Sequence, residues 1–548
     1  MAEGQVALLR ERGASCTEYE PEYCSNGKPQ RKRGIVSGVG SPRCADGKRH
    51  GEHERHQRAG LECLIIPTHP LIVPAELPDW SLLRDHSPGV DECCIMTTTY
   101  DPRHGAYFDE ADVRTELSRV FDICDGCRLC TNFCGSFPTL FDMIGQSADR
   151  GLDRSAGSLT PAQQDLVVDE CFQCKLCVAS CPFSLESDEQ RIDFPRLVLR
   201  TQAMRRRNGQ RRLQRRTATL VLAHTDVVGR LGIMFPVVSN RLVSARPGSV
   251  TRKLLARVAG ASTTGVMPPF ARQRFSEWFR DRETRLDIGG RGTGQAAVVV
   301  HPTCLVEYRE TSVGRDLVDV YERSDIVCTV SKAGCCGAPW LHAGSVKKFT
   351  EQAAANVSKL AHEVRTGRDV VVIQPLCEYV LKQDYPVYLQ SADSVLVAAH
   401  TFGASEYLVE LQHRDSTQLD PSFPRSATTE VTWRPSGQGV AQNIGEPGRE
   451  LIALTGARVL VAADTPGDLG WWGMRAGNED ASTAVITQLI DAIDGARSGV
   501  DSDGGSVVSG ECLLTNAAIA ERSGAEVLHP LEVVARAYRA AVVELDEL

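Results

Sequence analysis

The chain has 548 residues, 42% of them hydrophobic and 24% charged, with a formal net charge of −9. This is globular composition, enough for about three or four domains, and its acidic balance offers no basic field for nucleic acid. No segment approaches the ~18 uninterrupted apolar residues of a membrane span, and no apolar signal region opens the chain, so a cytoplasmic location is expected, with contact at a membrane surface left open.

Residues 1–95 hold Cys16, Cys24, Cys44, Cys63, Cys93 and Cys94 without regular spacing. Hydrophobic periodicity is nearly absent from Gly34 to Gly60, and Leu64–Leu77 is broken by Pro67, Pro70 and Pro74. A disordered tail is expected, with a zinc-binding extension as the alternative. A further expectation is that the natural protein starts at Met96, with residues 1–95 an artefact of start-codon choice.

Eight of the twenty cysteines fall in two runs within a domain expected at 96–200. The first is Cys124-Asp-Gly-Cys127-Arg-Leu-Cys130-Thr-Asn-Phe-Cys134. The second is Cys171-Phe-Gln-Cys174-Lys-Leu-Cys177-Val-Ala-Ser-Cys181-Pro182. Both read C-x2-C-x2-C-x3-C, the spacing of a bacterial two-cluster ferredoxin, in which the fourth cysteine of each run serves the other cluster. Cys124, Cys127, Cys130 and Cys181 are therefore assigned to one [4Fe–4S] cluster, and Cys171, Cys174, Cys177 and Cys134 to the second. Structural zinc prefers separated C-x2-C pairs. Gly135 replaces the proline that often follows such a run, a position that supplies no ligand.

A basic helical linker is expected over 201–290. Nine arginines lie between Arg196 and Arg216, and apolar segments follow at Leu220–Val228 and Leu231–Val238. This pattern suits an anionic lipid surface, a solvated helix face, or an acidic partner. No aromatic residues are interleaved for base stacking. Gly289-Gly290-Arg291-Gly292 reads as a flexible joint.

From residue 291 to 412, short β-branched runs alternate with helical stretches, which argues a parallel α/β sheet. Strands are expected at Gln295–His301, Asp325–Val330 and Asp369–Ile373, and a helix at Phe349–Val364. Cys304, Cys335-Cys336-Gly337 and Cys377 each follow a strand, where ligands gather in open sheets. These four thiols are candidate ligands of a third iron–sulfur cluster, and Cys335 and Cys336 are candidate catalytic groups. His301 is placed to tune such a cluster, although a structural role is the simpler reading. Cys328 lies within a strand and reads as a small buried apolar residue.

After a linker at 413–428, residues 429–548 repeat the rhythm. Val313-Gly-Arg-Asp-Leu317 is echoed by Pro447-Gly-Arg-Glu-Leu451, and strands are expected near Val431, at Ala457–Ala463 and at Ser506–Ser509. Ser436 is matched to Cys304, Thr465-Pro466-Gly467 to Cys335-Cys336-Gly337, and Cys512 to Cys377. The second site would therefore be empty, with Trp471 and Trp472 filling its space.

The ferredoxin runs followed by Cys304, Cys335-Cys336-Gly337-Ala338-Pro339 and Cys377 resemble the C subunit of anaerobic glycerol-3-phosphate dehydrogenase. They are similar also to other CCG-domain proteins, including the iron–sulfur subunit of glycolate oxidase and heterodisulfide reductase. The resemblance runs from about Met96 to the C-terminus. It implies an α+β multidomain fold: a helical 2[4Fe–4S] ferredoxin module, then two α/β CCG-type repeats, the second degenerate. It further implies electron transfer from a flavoprotein dehydrogenase partner through the clusters towards a quinone or another acceptor. Heterodisulfide reductases carry a fifth cysteine where this sequence has Val380. That counts against a noncubane cluster and disulfide cleavage; four thiolates suffice for a conventional cluster.

No Rossmann or P-loop pattern follows a strand, so flavin and nucleotide are expected on a partner and not on this chain. The leading expectation is an electron-transfer subunit of an oxidoreductase. A thiol–disulfide reductase acting at Cys335 and Cys336 and a non-enzymatic iron–sulfur sensor or scaffold are the alternatives.

Overall fold

The computed structural model describes residues 100–151, 153–184, 191–209, 223–245, 249–286, 296–414, 419, 430–463, 465–497 and 506–546. All belong to the compact unit Pro67–Leu548. The expectations for residues 1–95, for the joint at 289–292 and for most of the 413–428 linker lie outside the described residues.

The first module is helical. Helix α1 (Glu110–Cys127) begins at Asp109, whose carboxylate accepts the Asp112 N–H at 2.9 Å. Glu110 and Asp112 in its first turn suit the positive end of the helix dipole. Val113, Leu117, Val120 and Phe121 recur at helical spacing and are buried. They share one core with residues of α2 (Ser136–Asp149) and α3 (Pro161–Glu170). Thr160 and Gln163 close α3 with a reciprocal capping box. A one-turn helix, α4 (Leu176–Ala179), carries Cys177.

Helix α5 (Phe194–Arg207) runs across the expected domain boundary at residue 200. Three of its five arginines are turned inward. Arg200 is fully buried, donates to the carbonyls of Ala106 and Tyr107, and pairs with Asp112. Arg205 is buried against Asp165 and Asp169, and Arg196 pairs with Asp193. These three cations face acids of their own module. Arg211, Arg212, Arg215 and Arg216 lie outside the described residues.

Three short helices follow: α6 (Thr225–Met234), α7 (Pro236–Val243) and α8 (Val250–Ala259). Helix α9 (Phe275–Leu286) leads to the first sheet.

That sheet is parallel, in the order β2-β1-β3-β4. In chain order its elements are β1 (Ala296–His301), α10 (Thr303–Tyr308), α11 (Thr311–Arg323), β2 (Ile326–Val330), α12 (Ala338–His342), α13 (Val346–Arg365) and β3 (Asp369–Val372). There follow α14 (Pro375–Tyr379), α15 (Tyr385–Leu389), α16 (Ala392–Ala399), β4 (Thr401–Gly403) and α17 (Ala404–Arg414). Val298, Val299 and Val300 of the central strand are fully buried, as expected for a sheet covered on both faces.

A second parallel sheet has the corresponding order β6-β5-β7-β8. It is built from β5 (Glu430–Arg434), α18 (Gly437–Val440), α19 (Pro447–Leu454), β6 (Arg458–Val461), α20 (Glu479–Arg497), β7 (Val507–Gly510), α21 (Leu513–Ser523), β8 (Val527–Leu528) and α22 (Pro530–Asp546). The expected strands are present in both sheets. The edge strands β4 and β8 are not foreseen by the sequence reading, because three and two residues are too short to show alternation. The two halves meet through reciprocal helix pairs, α11 with α22 and α17 with α19.

Candidate functional site

The eight ferredoxin-type cysteines form two groups. The C-terminal turn of α1 presents Cys124 and Cys127, while Cys130 and Cys134 follow in the loop. Cys171 ends α3, and Cys174, Cys177 and Cys181 wrap around α4. Cys124 lies within electrostatic reach of Cys130, Cys181 and Cys127. Cys177 has Cys174, Cys171 and Cys134 around it, and Cys130 of the other group beside it. The fourth thiol of each run thus stands with the first three of the other. The residue after the second cysteine of each run, Arg128 or Lys175, has positive φ. This tight left-handed turn brings the chain around its thiols.

The donors fit an iron–sulfur cube. Burial, followed by neighbouring thiols, pushes Cys130 and Cys171 up to about 12, and Cys124, Cys174 and Cys177 are raised as well. Four thiolates so enclosed call for a cationic metal centre between them. Among the described residues, no three His, Cys, Asp or Glu side chains converge as a single-ion site.

The second centre gathers Cys304, Cys335, Cys336 and Cys377 from three strand ends. Their sulfurs form a chain of contacts, Cys304 to Cys335, Cys335 to Cys336, and Cys336 to Cys377 at 3.2 Å. Its contacts with Cys304 and Cys336 hold Cys335 well below the usual thiol range, and those two neighbours are pushed up. His301 is fully buried beside Cys335, and neither ring nitrogen has a hydrogen-bond partner. Burial lowers its pKa to about 4, so the imidazole is neutral. A buried orphan N–H facing thiols is what a sulfur-rich cluster would satisfy.

Side chains that the sequence reading passes over hold this loop. Gln352 and Asn356 of α13 donate to the Cys335 carbonyl at 2.7 and 2.9 Å, and Tyr385 donates to the Cys336 carbonyl at 2.9 Å. The available signal is Asn356, a polar residue on an otherwise apolar stripe with Phe349, Ala353, Val357 and Leu360. Asp226 of α6 lies near Cys335 and accepts from Tyr308 at 3.3 Å; burial raises its pKa.

The two centres are joined. Tyr379, two residues beyond Cys377, is within electrostatic reach of Cys177. Lys175, 2% exposed, sits 4.9 Å from the Tyr379 ring centroid and donates to Gln173 at 2.9 Å.

The second sheet has no comparable thiols. The Ser331 N–H donates to Val300 and the Ala462 N–H to Trp433, which aligns the two central strands. Counting from paired strand ends, Gly437 takes the position of Cys304, Gly467 that of Cys336 and Thr515 that of Cys377. These correspondences correct those read from sequence for Ser436, Thr465-Pro466-Gly467 and Cys512. Cys512 caps α21 as Gln374 caps α14, and the two touch at 3.3 Å. The tryptophans also differ from expectation. Trp472 packs on Phe172 and donates to the Asp169 carbonyl at 2.8 Å, while Trp471 lines a cavity at Cys304. The space of the second site is taken by the ferredoxin loop, since a methyl group on Gly437 or Gly467 would overlap Cys174.

Two family models match this chain. One, a 4Fe-4S dicluster domain, covers residues 123–186 and all eight cysteines of the first centre. The other, the CCG cysteine-rich domain, covers residues 298–382 and the four thiols of the second. No curated protein matches the chain. Together the two domains support iron–sulfur electron transfer in a protein of oxidoreductase type.

Proposed function

We propose that this chain is the iron–sulfur electron-transfer subunit of a flavin-linked dehydrogenase complex, resembling the glycerol-3-phosphate dehydrogenase C subunit. In this reading Cys124, Cys127, Cys130 and Cys181 hold one [4Fe–4S] cluster, Cys171, Cys174, Cys177 and Cys134 a second, and Cys304, Cys335, Cys336 and Cys377 a third iron–sulfur group. When bound, these groups supply one-electron storage. The observation that carries the reading is the junction of Cys177, Lys175, Tyr379 and Cys377, which packs one centre against the other in a buried seam.

The residues around the second centre have defined tasks. Gln352, Asn356 and Tyr385 fix the Cys335-Cys336 loop. Neutral His301 offers an N–H to sulfur. Asp226 and Tyr308, near Cys335, would supply a proton to an acceptor reduced there, a quinone or another molecule. The second sheet is inferred to be a degenerate CCG-type repeat whose vacated positions seat the ferredoxin loop.

Anaerobically purified protein should contain roughly eight to twelve irons with matching acid-labile sulfide, as two or three clusters require. Protein without either would overturn the proposal. A thiol–disulfide reductase has one observation in its favour, the 3.2 Å approach of the Cys336 and Cys377 sulfurs. It requires substrate turnover by this chain alone that Cys336→Ala abolishes.

A further inference from the structure

Helix α14, which carries Cys377, does not run straight into α15. A π-helical turn, Val380–Asp384, lies between them. Such turns recur at functional sites. This one ends on Asp384, which is 1% exposed and whose Oδ1 is buried without a hydrogen-bond partner. A buried carboxylate oxygen left unpaired calls for a reason. Burial raises the pKa of this carboxyl above its usual value.

Asp384 stands in the seam between the two cysteine centres. Lys175 of the second ferredoxin-type run lies within electrostatic reach of it, as do Arg196 and Asp193 near the start of α5. Asp193 is already engaged. Its carboxylate accepts the Arg196 backbone N–H at 2.8 Å and pairs with the Arg196 guanidinium at 3.4 Å. Tyr107, Tyr379 and Tyr388 also face Asp384, and burial pushes each above the usual phenol range, so all three are neutral. His342, which faces Lys175, is neutral too, because burial lowers its pKa. Lys382, on the turn itself, pairs with Glu378 and Glu406 at 3.3 and 2.9 Å.

With both acids ionised, the seam holds two cations against two carboxylates and its charges balance. Lys175 lies between Cys174 and Cys177 in sequence, and Tyr379 is within reach of both Cys177 and Asp384. An electron arriving at those thiols adds a negative charge where burial makes it costly. A proton on Asp384 cancels it. Tyr107 belongs to a surface turn where Arg103, His104 and Gly105 are exposed, and its hydroxyl is 3.2 Å from that of Tyr388. Two hydroxyls thus lead from the surface turn towards the carboxyl.

We propose that Asp384 takes up one proton from solvent when the second ferredoxin-type group accepts one electron. One O–H bond forms, no bond breaks, and the net charge of the seam is unchanged. The electron comes from the reduced flavoprotein of the function proposed above, on which this inference rests. By linkage, the reduction potential of that group falls as pH rises through the range in which Asp384 titrates.

The test uses full-length holoprotein, dithionite and redox mediators, with midpoint potentials read by electron paramagnetic resonance at several pH values. The potential of one ferredoxin-type signal should fall by up to about 59 mV per pH unit, since one proton per electron makes each unit a tenfold change in the equilibrium constant. Asp384→Asn, of the same size, should flatten that slope with iron content unchanged, and His342→Gln should keep it. Reduced-minus-oxidised infrared spectra of the wild type should gain a protonated-carboxyl band that shifts in heavy water. If Asp384→Asn loses iron, that band and the His342→Gln slope decide. A potential independent of pH, a slope that survives in Asp384→Asn or is lost in His342→Gln, or a missing carboxyl band would overturn the inference. Dithionite replaces the flavoprotein, so these outcomes are separable from failure of the relay itself, which is a protein without iron–sulfur signals.

Discussion

Gly467 lies so close to Cys174 that a single methyl group on it would overlap the cysteine's Cβ and sulfur. Gly437 meets the Cys174 carbonyl in the same way. The C-terminal sheet thus braces the second run of ferredoxin-type cysteines. Gly467→Ala should displace Cys174 and cost about 1–3 kcal/mol, the usual penalty for overpacking. The electron paramagnetic resonance of one ferredoxin cluster should broaden or vanish while the other persists. A spectrum identical to wild type would show that the bracing does not reach the cluster.

Lys175 is buried, and its charge partly offsets the burial that raises the pKa of Cys171. A nearby cation favours the reduced, more negative state of a cluster. Lys175→Met should therefore lower the potential of the second ferredoxin cluster, by on the order of 59 mV, which is a tenfold change for one electron. A redox titration reads this directly; an unchanged or raised potential would be inconsistent with the geometry.

Cys336 and Cys328 are both buried, but of the two it is Cys336 that contacts another thiol of the second centre, Cys377, at 3.2 Å. Cys328 donates to the Ile326 carbonyl within its own strand at 3.8 Å. Cys336→Ala should remove about a third of the iron if three four-iron clusters are present. Cys328→Ala should leave the iron content intact. Equal iron in both variants would remove the second centre from the account.

His529 is 1% exposed, and its Nδ1 accepts the Leu531 N–H at 3.2 Å. Burial pushes its pKa down to about 3, from 6.5. Between these values the unfolded chain binds a proton that the folded chain does not. This contribution to stability is therefore complete above pH 6.5 and is lost as pH falls towards 3, at about 1.4 kcal/mol per unit. His529→Asn keeps an acceptor and should flatten that slope in denaturant titrations. An unchanged slope would mean that His529 is protonated in the fold.

The parts legible in sequence are those written in local spacing. The two C-x2-C-x2-C-x3-C runs are self-announcing, and β-branched runs give β1, β2, β3 and their counterparts. Long-range pairing is not so written. The arginines of α5 look like a surface stripe because Asp112, Asp165 and Asp169, which neutralise Arg200 and Arg205, are distant in sequence. Cys512 looks like a surviving ligand, and only strand register shows that it matches Gln374. Gly437 and Gly467 carry no chemical signal at all, since their role is to leave room for Cys174.

Electron paramagnetic resonance of the dithionite-reduced and the oxidised holoprotein tests the central claim most directly. Two interacting reduced [4Fe–4S] signals, integrating to about two spins per chain, are expected from Cys124–Cys181, with a further signal that disappears in Cys336→Ala. An anaerobically prepared protein that shows no iron–sulfur signal in either state would contradict the account.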